Sequence, residues 1–149
     1  MRKRSEFDVQ KTLCQYAKLK YPNLLWRSDM SGITLGKKVA IQYWTHLAKY
    51  RGFPDWVCYE PMPQCEFVGL QLELKIEGFD IATIIEKKLH LSSSAHISEQ
   101  WTMIQSLRER GWAAGFVVGS KSACSALDAY LDADIKKLNQ FIYPPIPIL

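Results

Sequence analysis

Val68-Gly69-Leu70-Gln71-Leu72-Glu73-Leu74-Lys75-Ile76 is the stretch that decides the fold of this chain. Its alternation is that of a β-strand. Leu70, Leu72, Leu74 and Ile76 fall on one face, and Gln71, Glu73, Lys75 and Glu77 on the other. An acid and a base therefore project side by side from one strand. Upstream, Gly52-Phe53-Pro54-Asp55 reads as a turn, and Trp56-Val57-Cys58-Tyr59 as a short β-prone run able to pair with 68–76. The connection Glu60-Pro61-Met62-Pro63-Gln64 is proline-rich and suits a loop. Two carboxylates, Asp55 and Glu73, and the Lys75 ammonium then converge at one sheet edge. Such a set can hold a hard divalent cation and activate a water beside a phosphate.

Outward from this hairpin, Ser5 caps a helix over 5–20, with Asp8 as its capping-box partner and Pro22 as its stop. Phe7, Val9, Leu13, Tyr16, Ala17 and Lys20 trace its partly apolar stripe, and Glu6, seven residues before Leu13, lies near that inward face. Residues 24–28 read as a strand, 31–36 as a loop and 39–50 as a helix. A short helix is expected over 81–89. Ser98 is expected to cap a helix ending at Arg110, with Gly111 just past its end. Residues 113–118 form a buried strand, and 122–140 a final helix with Ala126, Leu127, Tyr130, Leu131, Ile135 and Leu138 on its apolar face. The proline-rich tail 143–147 runs extended over a surface. A single domain over 1–149 is expected: a mixed central sheet with helices on both sides. Its motif-bearing part spans 5–131, followed by the end of the last helix and the tail.

Composition places this 149-residue chain among ordinary soluble globules, with 48% hydrophobic and 23% charged residues. No apolar run approaches the roughly 20 residues of a membrane span. Met1-Arg2-Lys3-Arg4 is basic but has no apolar stretch after it, so no signal peptide is expected. The four cysteines form no CxxC pair, which argues against a zinc site and for a reducing compartment; a cytoplasmic protein is expected. The net charge of +4 permits a nucleic-acid partner without requiring one.

Gln100 follows Ser98 and shares a helix face with Ile104 and Leu107, so it points inward and needs a polar partner. The edge carrying Glu73 and Lys75 could provide it. His46, His90 and His96 have no ligand-like spacing, although His96 lies close enough to Gln100 to approach a substrate. Ser31, Gly32, Lys37 and Lys38 follow the first strand. They form either a phosphate grip or a plain basic loop, and Arg51 beside the turn is a further cation for DNA.

In order, Glu6, Gly52-x-Pro54-Asp55, Glu73-x-Lys75 and Ser98-Glu99-Gln100 resemble the PD-(D/E)xK nuclease superfamily and, within it, the VRR-NUC (virus-type replication-repair nuclease) family. The resemblance runs from Glu6 to about Leu131, and the segment 79–96 is longer than the family's usual link. It implies a restriction-endonuclease-like α/β fold and a metal-dependent DNA endonuclease. Asp55, Glu73 and the Leu74 backbone carbonyl would bind Mg²⁺ or Mn²⁺, with Glu6 joining through a water. Lys75 would orient or deprotonate the attacking water, and Gln100 would hold Lys75 or that water. Stand-alone family members, as in phages, have a similar length. They imply a homodimer cutting branched DNA such as four-way (Holliday) junctions, in the host cytoplasm for a phage-encoded protein. The alternatives are a flap- or restriction-like nuclease and a non-catalytic DNA-binding module on the same fold.

Overall fold

A computed structural model of the chain describes residues 5–29, 36–87 and 95–148. Its centre is a five-stranded sheet of order β1-β2-β3-β4-β5. The strands are β1 (Trp26–Ser28), β2 (Trp56–Cys58), β3 (Leu70–Lys75), β4 (Ala113–Val118) and β5 (Ile142–Tyr143). The expected hairpin is present, with β2 antiparallel to β3 and Trp56 opposite Leu72. β1 adds antiparallel to β2 and β5 antiparallel to β4, while β3 and β4 run parallel, which makes the sheet mixed.

The parallel pair requires a crossover, and the crossover puts helices on the sheet face. Helices α1 (Glu6–Lys20) and α5 (Ser120–Leu131) belong to one core, in which Leu13, Trp56, Leu70, Leu72, Leu74 and Leu127 are fully buried. Helices α3 (Ile81–Glu86) and α4 (Ala95–Glu109) belong to the other, around Ile85, Ile97, Ile104, Leu107 and Phe116. β3 is therefore covered on both sides. Its polar face is as buried as its leucine face, with Gln71, Glu73 and Lys75 at 8%, 2% and 2% exposure.

Several local readings match. Ser5 and Asp8 form the capping box, with the Ser5 side chain accepting from the Asp8 N–H and the Asp8 carboxylate accepting from the Ser5 N–H. α4 ends in a Schellman turn: Gly111 has φ +89°, and the Trp112 N–H donates to the Leu107 carbonyl. Other readings need correction. The helix read over 39–50 is α2 (Lys37–Gln42), followed by one wider turn, Tyr43–Leu47, in which the Ala48 N–H reaches back to the Tyr43 carbonyl. Ser98 lies inside α4, not at its cap, because that helix already runs from Ala95. The final helix breaks after Leu131. Ala133 adopts φ +55°, and Asp134 caps a separate short helix α6 (Ile135–Leu138) by accepting from the Lys137 N–H.

The tail is not simply draped. It supplies β5 and buries Ile142 and Ile146. Arg108 holds it by donating to the carbonyls of Pro144 and Pro145. The apolar groups of 79–85 and of the tail mostly complete the monomer's own cores. Ile81, Ile85, Ile142 and Ile146 are buried, whereas Trp44 and Ile148 remain exposed. Among the described residues, no helix is long and apolar enough to cross a membrane.

Candidate active site

One step along the ladder from the Trp56–Leu72 pair brings Asp55 opposite Glu73, so hairpin register alone joins the two carboxylates. The Asp55 turn is pinned at three points. Its carboxylate accepts from the Leu74 N–H at 2.9 Å, and its backbone carbonyl accepts from the Asp29 N–H at 2.7 Å. Behind it, the buried Gln10 amide of α1 donates to Ser28 Oγ and to the Asp29 carbonyl. Gly52 fixes the turn against α4. It has φ +86°, and a Cβ there would lie 2.6 Å from the Glu99 carbonyl oxygen, so no other residue fits without displacing backbone. This contact ties the turn to the helix turn that carries Gln100.

Glu73, Lys75 and Gln100 form one buried network. Lys75 Nζ donates to Gln100 Oε1 at 3.0 Å and to Glu73 Oε1 at 3.3 Å, while Gln100 Nε2 donates to the same Glu73 oxygen at 2.6 Å. Gln100 thus lies inward among Ile97, Ile104 and Leu107 and meets its polar partners on β3. Glu6 of α1 reaches Lys75 Nζ at 3.7 Å from a half-exposed position. The Lys75 ammonium also sits over the Phe79 and Phe116 rings, at 5.8 and 5.9 Å from their centroids. His96 Nε2 lies 2.9 Å from Gln100 Nε2.

The electrostatics are unbalanced. Burial raises the Glu73 pKa well above the usual carboxylate value, and the nearby Asp55 charge raises it further; Lys75 opposes both. Glu73 Oε2 is buried and receives no hydrogen bond from the described residues. Such an oxygen costs about 1–3 kcal/mol, more when charged. A divalent cation beside Asp55 and Glu73 would satisfy the oxygen and offset the repulsion, so the donor set fits Mg²⁺ or Mn²⁺. Among the described residues, no three His, Cys, Asp or Glu side chains cluster as a ligand group. The fit therefore rests on two carboxylates, with backbone and water oxygens for the rest.

The carboxylates open into a cavity of about 140 Å³ lined also by Glu6, His96, Glu99 and Gln100. Its other wall holds Arg51, the cation expected beside the turn, and four aromatic residues not foreseen as part of the site: Tyr43, Trp44, Tyr50 and Phe53. The signal for them was an aromatic-rich segment without apolar periodicity, leading straight into the Asp55 turn. Lys37 and Lys38 are exposed on α2 and do not line this cavity. Ser31, Gly32 and His90 lie outside the described residues.

No protein-family model matches the sequence, and no curated protein matches it. A solved VRR_NUC domain protein matches in structure, with a TM-score of 0.56 over 89% of this chain and 92% of that one, at 19% sequence identity. The mixed sheet between two helical layers is thus a restriction-endonuclease-like α/β fold shared with a solved VRR_NUC domain protein.

Proposed function

We propose that this protein is a divalent-metal-dependent DNA endonuclease of the VRR-NUC type. It acts as a homodimer that places paired nicks in four-way junctions. The observation that carries the reading is the buried Glu73–Lys75–Gln100 network beside Asp55 at the mouth of an open cavity. A fold made only for stability would gain from apolar residues there, since buried charges cost several kcal/mol to desolvate.

Asp55, Glu73 and the Leu74 carbonyl would hold Mg²⁺ or Mn²⁺, which supplies charge neutralisation at the phosphate and a lowered water pKa. The remaining work belongs to the chain. Lys75, held by Glu73 and Gln100, presents an ammonium to the attacking water and to the charge that develops on the phosphate oxygens. Gln100 fixes Lys75 and Glu73 at once, which orients both. Glu6 approaches Lys75 from the solvent side and sits where it could assist proton transfer. Arg51 and His96, both on the cavity wall, would meet the DNA backbone. A homodimer supplies two such sites related by a two-fold axis, as two symmetric cuts require.

The test is cleavage of four-way junctions, flaps and linear duplex with Mg²⁺, Mn²⁺ or chelator, together with sizing by light scattering. Metal-dependent paired nicking of junctions by a dimer is expected. A monomer cutting flaps as well as junctions would favour a flap nuclease. A protein that binds DNA but leaves every substrate intact would leave a binding module.

A further inference from the structure

The aromatic wall of the cavity continues beyond the carboxylates. An adjoining trough of about 510 Å³ shares Tyr43, Tyr50 and Phe53 with the site and runs on to Tyr59 and Trp112 at the far end of the hairpin. Trp44, Tyr50, Phe53 and Tyr59 are 36%, 57%, 48% and 43% exposed. Exposed rings gathered along one surface, unlike hydrophobic residues scattered singly, mark a binding site. They are interleaved with cations. The Arg51 guanidinium lies 4.2 Å from the Trp44 ring centroid and Lys49 Nζ 5.1 Å from that of Tyr50, while Arg27 lines the trough beside Tyr59. Asp29, which lines both cavities, is the acidic exception.

A paired duplex hides its base faces and offers an aromatic wall little to stack on. An unpaired strand offers both a π-face per base and a phosphate per residue, and rings alternating with cations match both. We infer that this aromatic wall, from Trp44 in the carboxylate cavity through the adjoining trough, stacks unpaired bases next to the phosphate to be cut, so that the preferred substrate class is DNA carrying single-stranded nucleotides beside the cleavage point. The inference rests on the nuclease reading and deepens it. At a four-way junction the required nucleotides would be those splayed at the branch.

The test is binding in chelating buffer, where a metal-dependent enzyme cannot cut. Labelled single-stranded DNA and blunt duplex with equal phosphate numbers are titrated against the wild-type protein and against Trp44→Ala, Phe53→Ala and Tyr50→Ser. Tighter binding of the single strand, with quenching of tryptophan fluorescence, is expected. Each aromatic loss should weaken single-strand binding about tenfold and duplex binding less than twofold, without changing the salt slope. Trp44→Phe should restore most of the affinity. Lys49→Ala should instead lower the salt slope by about one on both substrates. Equal losses on both substrates, or no loss, would overturn the inference. So would a change from dimer to monomer in the aromatic variants with strand preference intact, since the wall would then be a contact between copies. A wild-type protein that prefers single strands yet cuts nothing with Mg²⁺ or Mn²⁺ would refute the nuclease reading while leaving the stacking trough standing.

Discussion

Two clusters in this molecule pair a lysine with an aspartate or glutamate, and they are built on opposite terms. At the junction of α1 and α5, Asp128 accepts from Tyr16 at 2.6 Å, from Tyr21 at 2.5 Å and from Lys20 at 3.1 Å, and both of its oxygens are used. Burial alone would raise its pKa, but the hydrogen bonds from Tyr16, Tyr21 and Lys20 outweigh that and leave it lowered. At the end of β3, by contrast, Glu73 is buried against a second carboxylate, its pKa is raised and one of its oxygens has no hydrogen-bond donor among the described residues. The first cluster is satisfied by its own side chains, as a structural ion pair should be. The second leaves a buried carboxylate oxygen without a donor among the described residues. Strained electrostatics of that kind concentrate where chemistry is done.

The contrast is broken most directly by Glu73→Gln and Asp55→Asn. Each keeps the shape and removes one of the two opposed charges. Metal-dependent cleavage should fall about 10²- to 10⁴-fold. Stability against urea should stay level or rise by about 1 kcal/mol, because the repulsion between the two neighbouring carboxylates is gone. Normal turnover in both variants would sink the assignment, and parallel loss of activity and stability would make this cluster structural like the other.

Lys75→Met sharpens the comparison from the cation's side. Turnover should fall about 10²- to 10⁴-fold while calorimetric binding of Mn²⁺ persists, since an ammonium acts in the chemical step and is no ligand. Lost metal affinity with chemistry intact at saturating metal would show that the role is wrong.

The smallest effect belongs to Asp128→Asn. It should lower stability by about 1–2 kcal/mol, from charge-assisted hydrogen bonds weakened by the exposure of Lys20, and leave cleavage within about twofold. The pH dependence has a defined sign. With the folded pKa below the unfolded value of about 3.9, the stabilisation is complete above about pH 4 and is lost as pH falls through the folded value. Thermal melts between neutral and acid pH should therefore converge for wild type and variant at the acid end. A constant gap across that range would mean that Asp128 stabilises by shape and not by charge.

What could be read in advance follows from how local the cause is. The capping box at Ser5, the alternation of 70–75, the glycine at 111 and the inward side of Gln100 are set by residues within a few positions of one another. The convergence of Asp55 on Glu73 needed only the hairpin register. The misses have longer-range causes. β5 exists because β4 offers an edge and Arg108 grips the tail, neither of which shows in a proline-rich segment. The break at Ala133 competes against a continuous apolar stripe, and Asp134 wins it by capping a new helix. The aromatic wall has no local signal of its role beyond its aromatic-rich sequence, because only the fold sets its exposed rings beside the carboxylates.

The strands at the two margins of the sheet are short, with three residues in β1 and two in β5; the interior β2 also has three, while β3 and β4 have six each. Long strands of high β-propensity are templates for pairing with other chains when they lie at an edge. Here both long strands are interior, and each margin offers only a stub of backbone. Prolines follow immediately after β5, where a missing N–H prevents further ladder growth. These short margins thus guard the molecule against sheet-to-sheet aggregation.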